Sequence, residues 1–78
     1  MNVVVFPNPT DGQVKLAFEK TLKEALVTLY DEAGKRILTQ QINGLNSVDL
    51  NIESCASGLY YVLIQSEDKR AIHKLIKK

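Results

Sequence analysis

Residues 57–78, SGLYYVLIQSEDKRAIHKLIKK, are the stretch of sequence that decides the fold. Within it, residues 59–64 form an apolar run rich in aromatic and β-branched side chains, which predicts a strand buried on both faces. Polar residues 66–69 predict a turn, and residues 71–78 predict a second strand that ends with the chain. Because chain termini are usually loose, this pattern predicts a C-terminus that is held in a fixed place by the fold.

Upstream of this stretch, five further runs have the composition and spacing of β-strands. The clearest is residues 13–19, where Val14, Leu16 and Phe18 alternate with more polar side chains, as in a strand with one buried face. Turn signals recur about every eight to twelve residues, which is typical of a β-sandwich. The sequence therefore predicts an all-β domain, an antiparallel sandwich of about seven strands, with a small antiparallel barrel as the alternative. The other runs are residues 3–6, 25–31, 35–42 and 47–52.

Turn-forming residues separate these runs. Residues 7–12, Pro-Asn-Pro-Thr-Asp-Gly, combine two prolines that favour extended backbone with an Asp-Gly pair that favours a tight turn. Residues 31–34, Asp-Glu-Ala-Gly, predict a type I turn closed by a glycine with positive φ, and Asn43-Gly44 predicts another turn. Residues 20–24 predict a polar connection. A helix over residues 19–33 is the local alternative, but we expect at most one helical turn because strand-favouring residues follow.

The same alternation predicts the core. Apolar side chains on the inward face of each strand should be buried together, since removing apolar surface from water is the main favourable term in folding. A helix of three or more turns would contradict this prediction. The residues expected to be buried are Val14, Leu16, Phe18, Val27, Leu29, Leu50, Val62 and Ile64.

Length and composition indicate one small globular domain, residues 1–78. A chain of this length buries only roughly 60–65% of its unfolded surface, so its stability margin is thin. The single cysteine cannot form an intramolecular disulfide. No segment approaches the roughly 20 apolar residues of a membrane span, and no signal peptide precedes the first strand. We expect this domain to be a piece of a longer chain.

Charge is distributed unevenly along the chain. The net charge is +1, yet residues 69–78 contain five basic residues and no acidic one, whereas residues 1–68 contain five basic and nine acidic residues. The basic end has two interpretations: a charged recognition element, or a solvated strand whose lysines discourage edge-to-edge aggregation. The small net charge and the confinement of the bases to one end argue against nucleic-acid binding.

Two small groups of residues have the composition of a chemical site, and each has a simpler structural interpretation. Cys55 and His73 would have to lie within hydrogen-bond reach to form a nucleophilic pair, and nothing in the sequence brings them together. Asp49, Asn51 and Glu53 alternate along one strand, but calcium takes six to eight oxygen ligands, usually from loops. We expect no catalytic residue, no metal and no cofactor.

The three tyrosines suggest a sugar-stacking platform as a further possibility. Tyr60 and Tyr61 are neighbours in one strand and must point to opposite faces, so only one of them can join a platform with Tyr30. Core packing with the hydroxyl group reaching the surface is the interpretation that we favour for the tyrosines.

Three blocks of this sequence occur together in one known family. They are residues 6–12 before an alternating strand, residues 29–35 (LYDEAGK) at a hairpin, and residues 57–62 (SGLYYV) followed by the ending KLIKK at 74–78. In this order and at this spacing they resemble the C-terminal sorting domain of the type IX (Por) secretion system. The resemblance covers nearly the whole chain.

The resemblance implies an immunoglobulin-like antiparallel β-sandwich of about seven strands that catalyses nothing itself. It implies a passenger upstream in the parent chain, often a hydrolase or adhesin, which crosses the inner membrane with a signal peptide and folds in the periplasm. The domain then directs the passenger across the outer membrane, and a surface sortase commonly removes the domain. The expected partners are the outer-membrane secretion machinery, the sortase and the passenger. The passenger is expected at the outer-membrane surface or secreted.

The resemblance also indicates candidate site residues. We expect the terminal strand to expose an edge to which a partner sheet can add, with lysines that face an acidic surface. Cys55 departs from the family pattern, but a free cysteine behaves as a small hydrophobe, so we expect a structural role. The residues expected to bind the secretion machinery are Lys74, Leu75, Ile76, Lys77 and Lys78. The motif residues expected to be structural are Pro7, Asn8, Pro9, Gly12, Gly34, Gly58 and Tyr60.

The alternative function is a carbohydrate-binding or fibronectin-like accessory module of a secreted enzyme. Such a module should tolerate extra residues after Lys78, whereas a signal bound at its free end should not. A sugar-binding module should also expose an aromatic cluster.

Overall fold

A computed structural model describes residues 2–67 and 69–78 of the chain. Met1 and Asp68, which belong to the predicted chain start and the predicted turn at 66–69, lie outside the described residues. Within the described residues there are five strands and no helix, so the all-β prediction is confirmed and the helical alternative for residues 19–33 is wrong. The strands are β1 (Val3–Phe6), β2 (Gln13–Asp31), β3 (Arg36–Asn51), β4 (Gly58–Ser66) and β5 (Lys69–Lys77).

These strands form one antiparallel sheet that curls into a half-barrel. The first part of β2 pairs with β1, its second part pairs with β4, and β3 runs beside β2 along most of its length. β4 pairs with β5 from Gly58 opposite Lys77 to Ser66 opposite Lys69, with no shift of register. Because β2 passes from one partner strand to another, the sheet bends around the core.

The sandwich of about seven strands is not confirmed, because two predicted breaks do not interrupt the chain's strands. Residues 20–24 continue within β2, and Asn43-Gly44 lies inside β3. The pairing of β2 with β3 is irregular between Ala17 and Leu22, and Gly44 has a φ of 66°, so the long hairpin bends here without reversing. Most side chains in this part are exposed, so polar residues cost nothing in a strand. The half-barrel is closer to the barrel alternative.

The predicted core is confirmed. All eight expected residues are at most 7% exposed: Val14, Leu16, Phe18, Val27, Leu29, Leu50, Val62 and Ile64. Leu75 in β5 is also fully buried, which attaches the terminal strand to the core. The expectation that residues 59–64 are buried on both faces is wrong, because the half-barrel covers only one face of β4. Tyr60 is buried, whereas Tyr61 beside it is partly exposed on the outer face.

Candidate partner-binding site

The candidate residues at the end of β5 do not form a single surface, because their side chains alternate between the two faces of the sheet. Leu75 is buried in the core, and Lys77 on the same side is half-buried. Lys74 and Ile76 point outward and are exposed, Ile76 to 49%, and Lys78 follows them. A partner approaching from outside therefore meets Lys74, Ile76 and Lys78.

Two residues of the proline-rich turn, Asn8 and Thr10, hold the outer edge of this part of β5; we call the pair the clasp. The Asn8 amide Nδ2 donates to the carbonyl of Lys74 at 2.8 Å, and the Ile76 N–H donates to Asn8 Oδ1 at 3.0 Å. The Thr10 N–H donates to the Ile76 carbonyl at 2.8 Å, and the Lys78 N–H donates to the Thr10 carbonyl at 2.9 Å. A side-chain amide and one backbone unit thus extend the sheet in parallel with β5.

The clasp is itself anchored in the core. Thr10 is fully buried, and its hydroxyl Oγ1 donates to the Gln13 carbonyl at 2.9 Å and accepts from the Gly12 N–H at 3.0 Å. The Gly12 carbonyl accepts from the Ile52 N–H at 2.7 Å. A Cβ added at Gly12 would lie 2.8 Å from Glu53 Cα, so this close approach of two chain segments requires glycine.

The expectation of a free backbone edge is therefore wrong for the end of the last strand. The outward backbone groups of Ile76, the carbonyl of Lys74 and the N–H of Lys78 all bond to the clasp. Strand addition depends on unpaired backbone groups at a sheet edge. A partner strand cannot pair with this part of β5 unless the clasp moves away. The sequence pattern indicated a turn at Asn8, and nothing in it indicated this contact.

The other motif residues lie in turns or at strand ends. Gly34 has a φ of 87° and its N–H donates to the Asp31 carbonyl at 3.0 Å, which confirms the predicted turn between β2 and β3. Gly58 begins β4. Pro7 and Pro9 are exposed, and both of the X–Pro bonds that they form are cis.

Tyr60 is a core residue with a hydrogen-bonded hydroxyl group. Its side chain is 6% exposed, and its hydroxyl donates to the Ala56 carbonyl at 2.6 Å. Burial raises the pKa of this hydroxyl above its ordinary value, and the nearby Cys55 and Asp31 raise it further, because each disfavours a second negative charge. Tyr60 therefore acts as a neutral donor that connects β4 to the preceding loop.

The outer face of β2 and β4 carries the other two tyrosines. Tyr30 lies opposite Tyr61 on neighbouring strands, and both are partly exposed. With Leu63 and Ile72 they line an apolar groove of about 360 Å³. The prediction that Tyr60 and Tyr61 face opposite sides is confirmed, since only Tyr61 lines this groove.

The comparison with known families decides the class of this domain. Residues 4–78 match the family model described as the secretion system C-terminal sorting domain. The match contains the clasp and all of β2 to β5. This chain is a C-terminal sorting domain. No curated protein matches it. Membership of this family confirms the resemblance to the type IX sorting domain and supports a role as a sorting signal for export to the cell surface or beyond.

The side chains considered for calcium binding have other partners in this sorting domain. Lys15 Nζ lies 3.9 Å from Asp49 Oδ1, and Asn51 Oδ1 accepts from the backbone N–H of Glu53 at 3.0 Å. Glu53 Oε1 accepts from the Gln13 side-chain amide at 2.6 Å. Among residues 2–67 and 69–78, no three His, Cys, Asp or Glu side chains are grouped so that they could hold a metal ion.

Cys55 and His73 have different surroundings in the sorting domain. Cys55 follows β3, is half-buried and packs against the core, and its N–H donates to the Ile52 carbonyl at 2.9 Å. His73 in β5 lines a cleft of about 520 Å³ beside Val3 and Phe18. The part of the chain that the structure describes has no helix long and apolar enough to cross a membrane.

Proposed function

We propose that this sorting domain directs an upstream passenger across the outer membrane through the type IX system, and that the secretion machinery binds the end of β5. Membership of the sorting-domain family supports the first part. The observation that carries the second part is the clasp. Four hydrogen bonds of 2.8–3.0 Å hold residues 74–78 in place, so a short terminal segment has one defined shape.

The clasp also determines which groups a partner can contact. Since the backbone edge is occupied, recognition uses the outward side chains of Lys74, Ile76 and Lys78. Lys78 Nζ lies 3.9 Å from Asp11 Oδ1, but both side chains are mostly exposed, so this ion pair holds the lysine only weakly. Exposed lysines attract an acidic partner surface and accelerate encounter more than they increase final affinity.

In this proposal the passenger passes through the periplasm, and a surface sortase commonly removes the domain after passage. The passenger then stays at the outer-membrane surface or is released. The domain acts as an exported adaptor and not as an enzyme. The carbohydrate-binding alternative gains little from the Tyr30–Tyr61 groove, because sugar binding needs polar groups directed at hydroxyls and the groove walls are mainly apolar.

The test of this proposal is a charge reversal on a fluorescent passenger fused ahead of the full chain. Lys74→Glu with Lys78→Glu should lower the fraction of passenger at the surface of cells with a type IX system. Lys20→Glu with Lys23→Glu is the matched control, because these two exposed lysines lie in β2. The difference from wild type should shrink at higher salt, because salt screens both the attraction of the lysines and the repulsion of the introduced glutamates.

A thermal melt of each variant separates loss of binding from loss of folding. Deletion of residues 74–78 is a poorer test, because it removes Leu75 from the core and should unfold much of the domain. If the Lys74/Lys78 variant is folded and still delivers passenger at the wild-type level, the end of β5 is not the bound element.

A further inference from the structure

The outer faces of β4 and β5 together form an apolar strip that extends beyond the terminal residues. The register of these strands places Ile76 opposite Leu59, Lys74 opposite Tyr61, and Ile72 opposite Leu63. The side chains of one row are therefore close neighbours of the other row, because directly opposed residues in antiparallel strands lie about 5 Å apart. We call these six residues the outer strip: Leu59, Tyr61, Leu63, Ile72, Lys74 and Ile76.

Two of the apolar side chains in the outer strip are unusually exposed. Ile72 is 64% exposed and Ile76 is 49% exposed, next to a row on β4 that is partly exposed as well. Single exposed apolar residues are normal, but a contiguous exposed apolar patch with polar borders marks an interaction site. The strip continues into the groove beside Tyr30, so the apolar surface spans β5, β4 and β2.

The charge around the strip indicates the kind of partner. Arg70 and Lys74 alternate with Ile72 and Ile76 along β5, and Lys78 directly follows the strand, so its outer face carries a basic row. Residues 69–78 contain no acidic side chain. A surface that meets this row gains from acidic groups, because complementary charges steer encounter and penalise wrong partners.

Acidic residues lie near both ends of the strip: Asp11 Oδ1 is 3.9 Å from Lys78 Nζ, and Asp31 and Glu32 line the far end of the groove. Asp31 is the last residue of β2, and Glu32 follows it in the turn. The Asp31 carboxylate accepts from the N–H groups of Ala33 and Lys35 at 3.0 and 2.8 Å, so its charge is engaged in its own turn. The strip is therefore bordered by basic side chains along β5, whereas Asp31 and Glu32 lie at the other end of the groove.

We propose that the outer strip binds a protein surface with an apolar centre and an acidic border. Binding is by face-to-face packing of side chains, because the clasp occupies the backbone edge beside residues 74–78. A recessed groove with two tyrosine rings in its wall suits an inserted apolar side chain of a protein better than a flat lipid surface. This inference rests on the proposed function and extends the bound surface from residues 74–78 to β4 and the groove.

The first test uses Ile72, which lies outside residues 74–78. Ile72→Ser should reduce surface delivery of a fused passenger about tenfold, the order expected when one large aliphatic side chain no longer becomes buried at an interface. Val4→Ser is the matched control, because Val4 is 60% exposed, close to the 64% of Ile72, and lies on β1, which has no basic residue. Both variants should melt near the wild-type temperature, since neither side chain is buried.

The second test identifies the partner by its chemistry. A photoreactive amino acid at position 72 of the exported chain should crosslink to a protein segment containing Asp or Glu, and the same group at position 4 should not. Lys74→Glu should lower delivery, and reversal of the nearest acidic residue of the crosslinked partner to Lys should restore it. Crosslinks at position 72 to lipid only, or to a second copy of this chain, would overturn the inference.

The two proposals fail in different ways. If Lys74→Glu with Lys78→Glu lowers delivery while a folded Ile72→Ser variant delivers like wild type, the terminal residues are bound without the strip, and only this inference is wrong. If neither variant lowers delivery, both proposals are wrong. If Ile72→Ser and Lys74→Glu each lower delivery while Val4→Ser does not, both stand.

Discussion

Replacing Asn8 with alanine tests the clasp directly. The change removes the donor to the Lys74 carbonyl and the acceptor of the Ile76 N–H, which are two hydrogen bonds of 2.8 and 3.0 Å. A typical hydrogen bond contributes a net 0.5–1.5 kcal/mol or so to stability. Asn8 is exposed, so water can replace both partners and the cost lies at the low end. We expect the free energy of unfolding to fall by about 1 kcal/mol, or a Tm shift of roughly 4–8 °C.

Asn8→Ala should change hydrogen exchange beside the clasp more clearly than it changes the stability of the whole domain. Amide hydrogen exchange at Ile76 should accelerate about fivefold or more, because roughly 1 kcal/mol of local protection is lost. The Leu75 amide is the internal reference, since its backbone groups point toward β4 in the paired ladder with Tyr60. Surface delivery of a fused passenger should also fall, although every residue from 74 to 78 is intact.

Two variants complete the Asn8 experiment. Asn8→Asp keeps an acceptor for the Ile76 N–H and loses only the donor to Lys74, so exchange at Ile76 should change less than in Asn8→Ala. Asn46→Ala is the matched control, because Asn46 is an exposed asparagine in β3 and is not part of the clasp. If exchange at Ile76 is the same in Asn8→Ala and wild type, the side chain of Asn8 does not hold the strand and the reasoning is refuted.

Three further predictions concern the body of the domain. Gly12→Ala should destabilise it by about 1–3 kcal/mol, because the new Cβ meets the backbone of Glu53, and a lower urea midpoint would show this; an unchanged midpoint would contradict the close approach. Tyr60→Phe should cost about 1 kcal/mol through loss of the bond to Ala56. The pKa of Tyr60 is raised in the folded state, so the hydroxyl's contribution to folding stability is complete below about pH 10 and is lost as the pH rises through the raised value. Across that pH range the Tm should therefore fall less steeply in Tyr60→Phe than in wild type. Cys55→Ser should leave passenger delivery near wild type with about 1 kcal/mol lost in a melt; a folded variant that is not delivered would give Cys55 a functional role.

The sequence predicted the features that depend on local pattern. The alternation of Val14, Leu16 and Phe18 identified a buried face, since side chains in a strand point to opposite sides at every step. Gly34 closed the predicted turn because the residues around it favour that geometry. The family resemblance likewise depended on short blocks in order along the chain, which a sequence displays completely.

Local pattern was less informative where solvent surrounds a strand. The polar residues 20–24 and the pair Asn43-Gly44 looked like breaks, but pairing of β2 with β3 continues on both sides of them. An exposed hairpin arm tolerates polar residues on both faces, so composition there does not distinguish strand from loop. The apolar run at 59–64 predicted burial on both faces, but its outward side chains are partly exposed and belong to the outer strip.

What the sequence determined alone is therefore the all-β class, the core and the family, all of which depend on neighbours in the chain. Only the tertiary structure showed the clasp, because Asn8 bonds to residues 66 and 68 positions away. Such contacts arise when the curled sheet brings the turn after β1 beside β5, and no local preference of Asn8 encodes that approach. The same curvature leaves the outer strip uncovered, because one bent sheet can bury only its concave face.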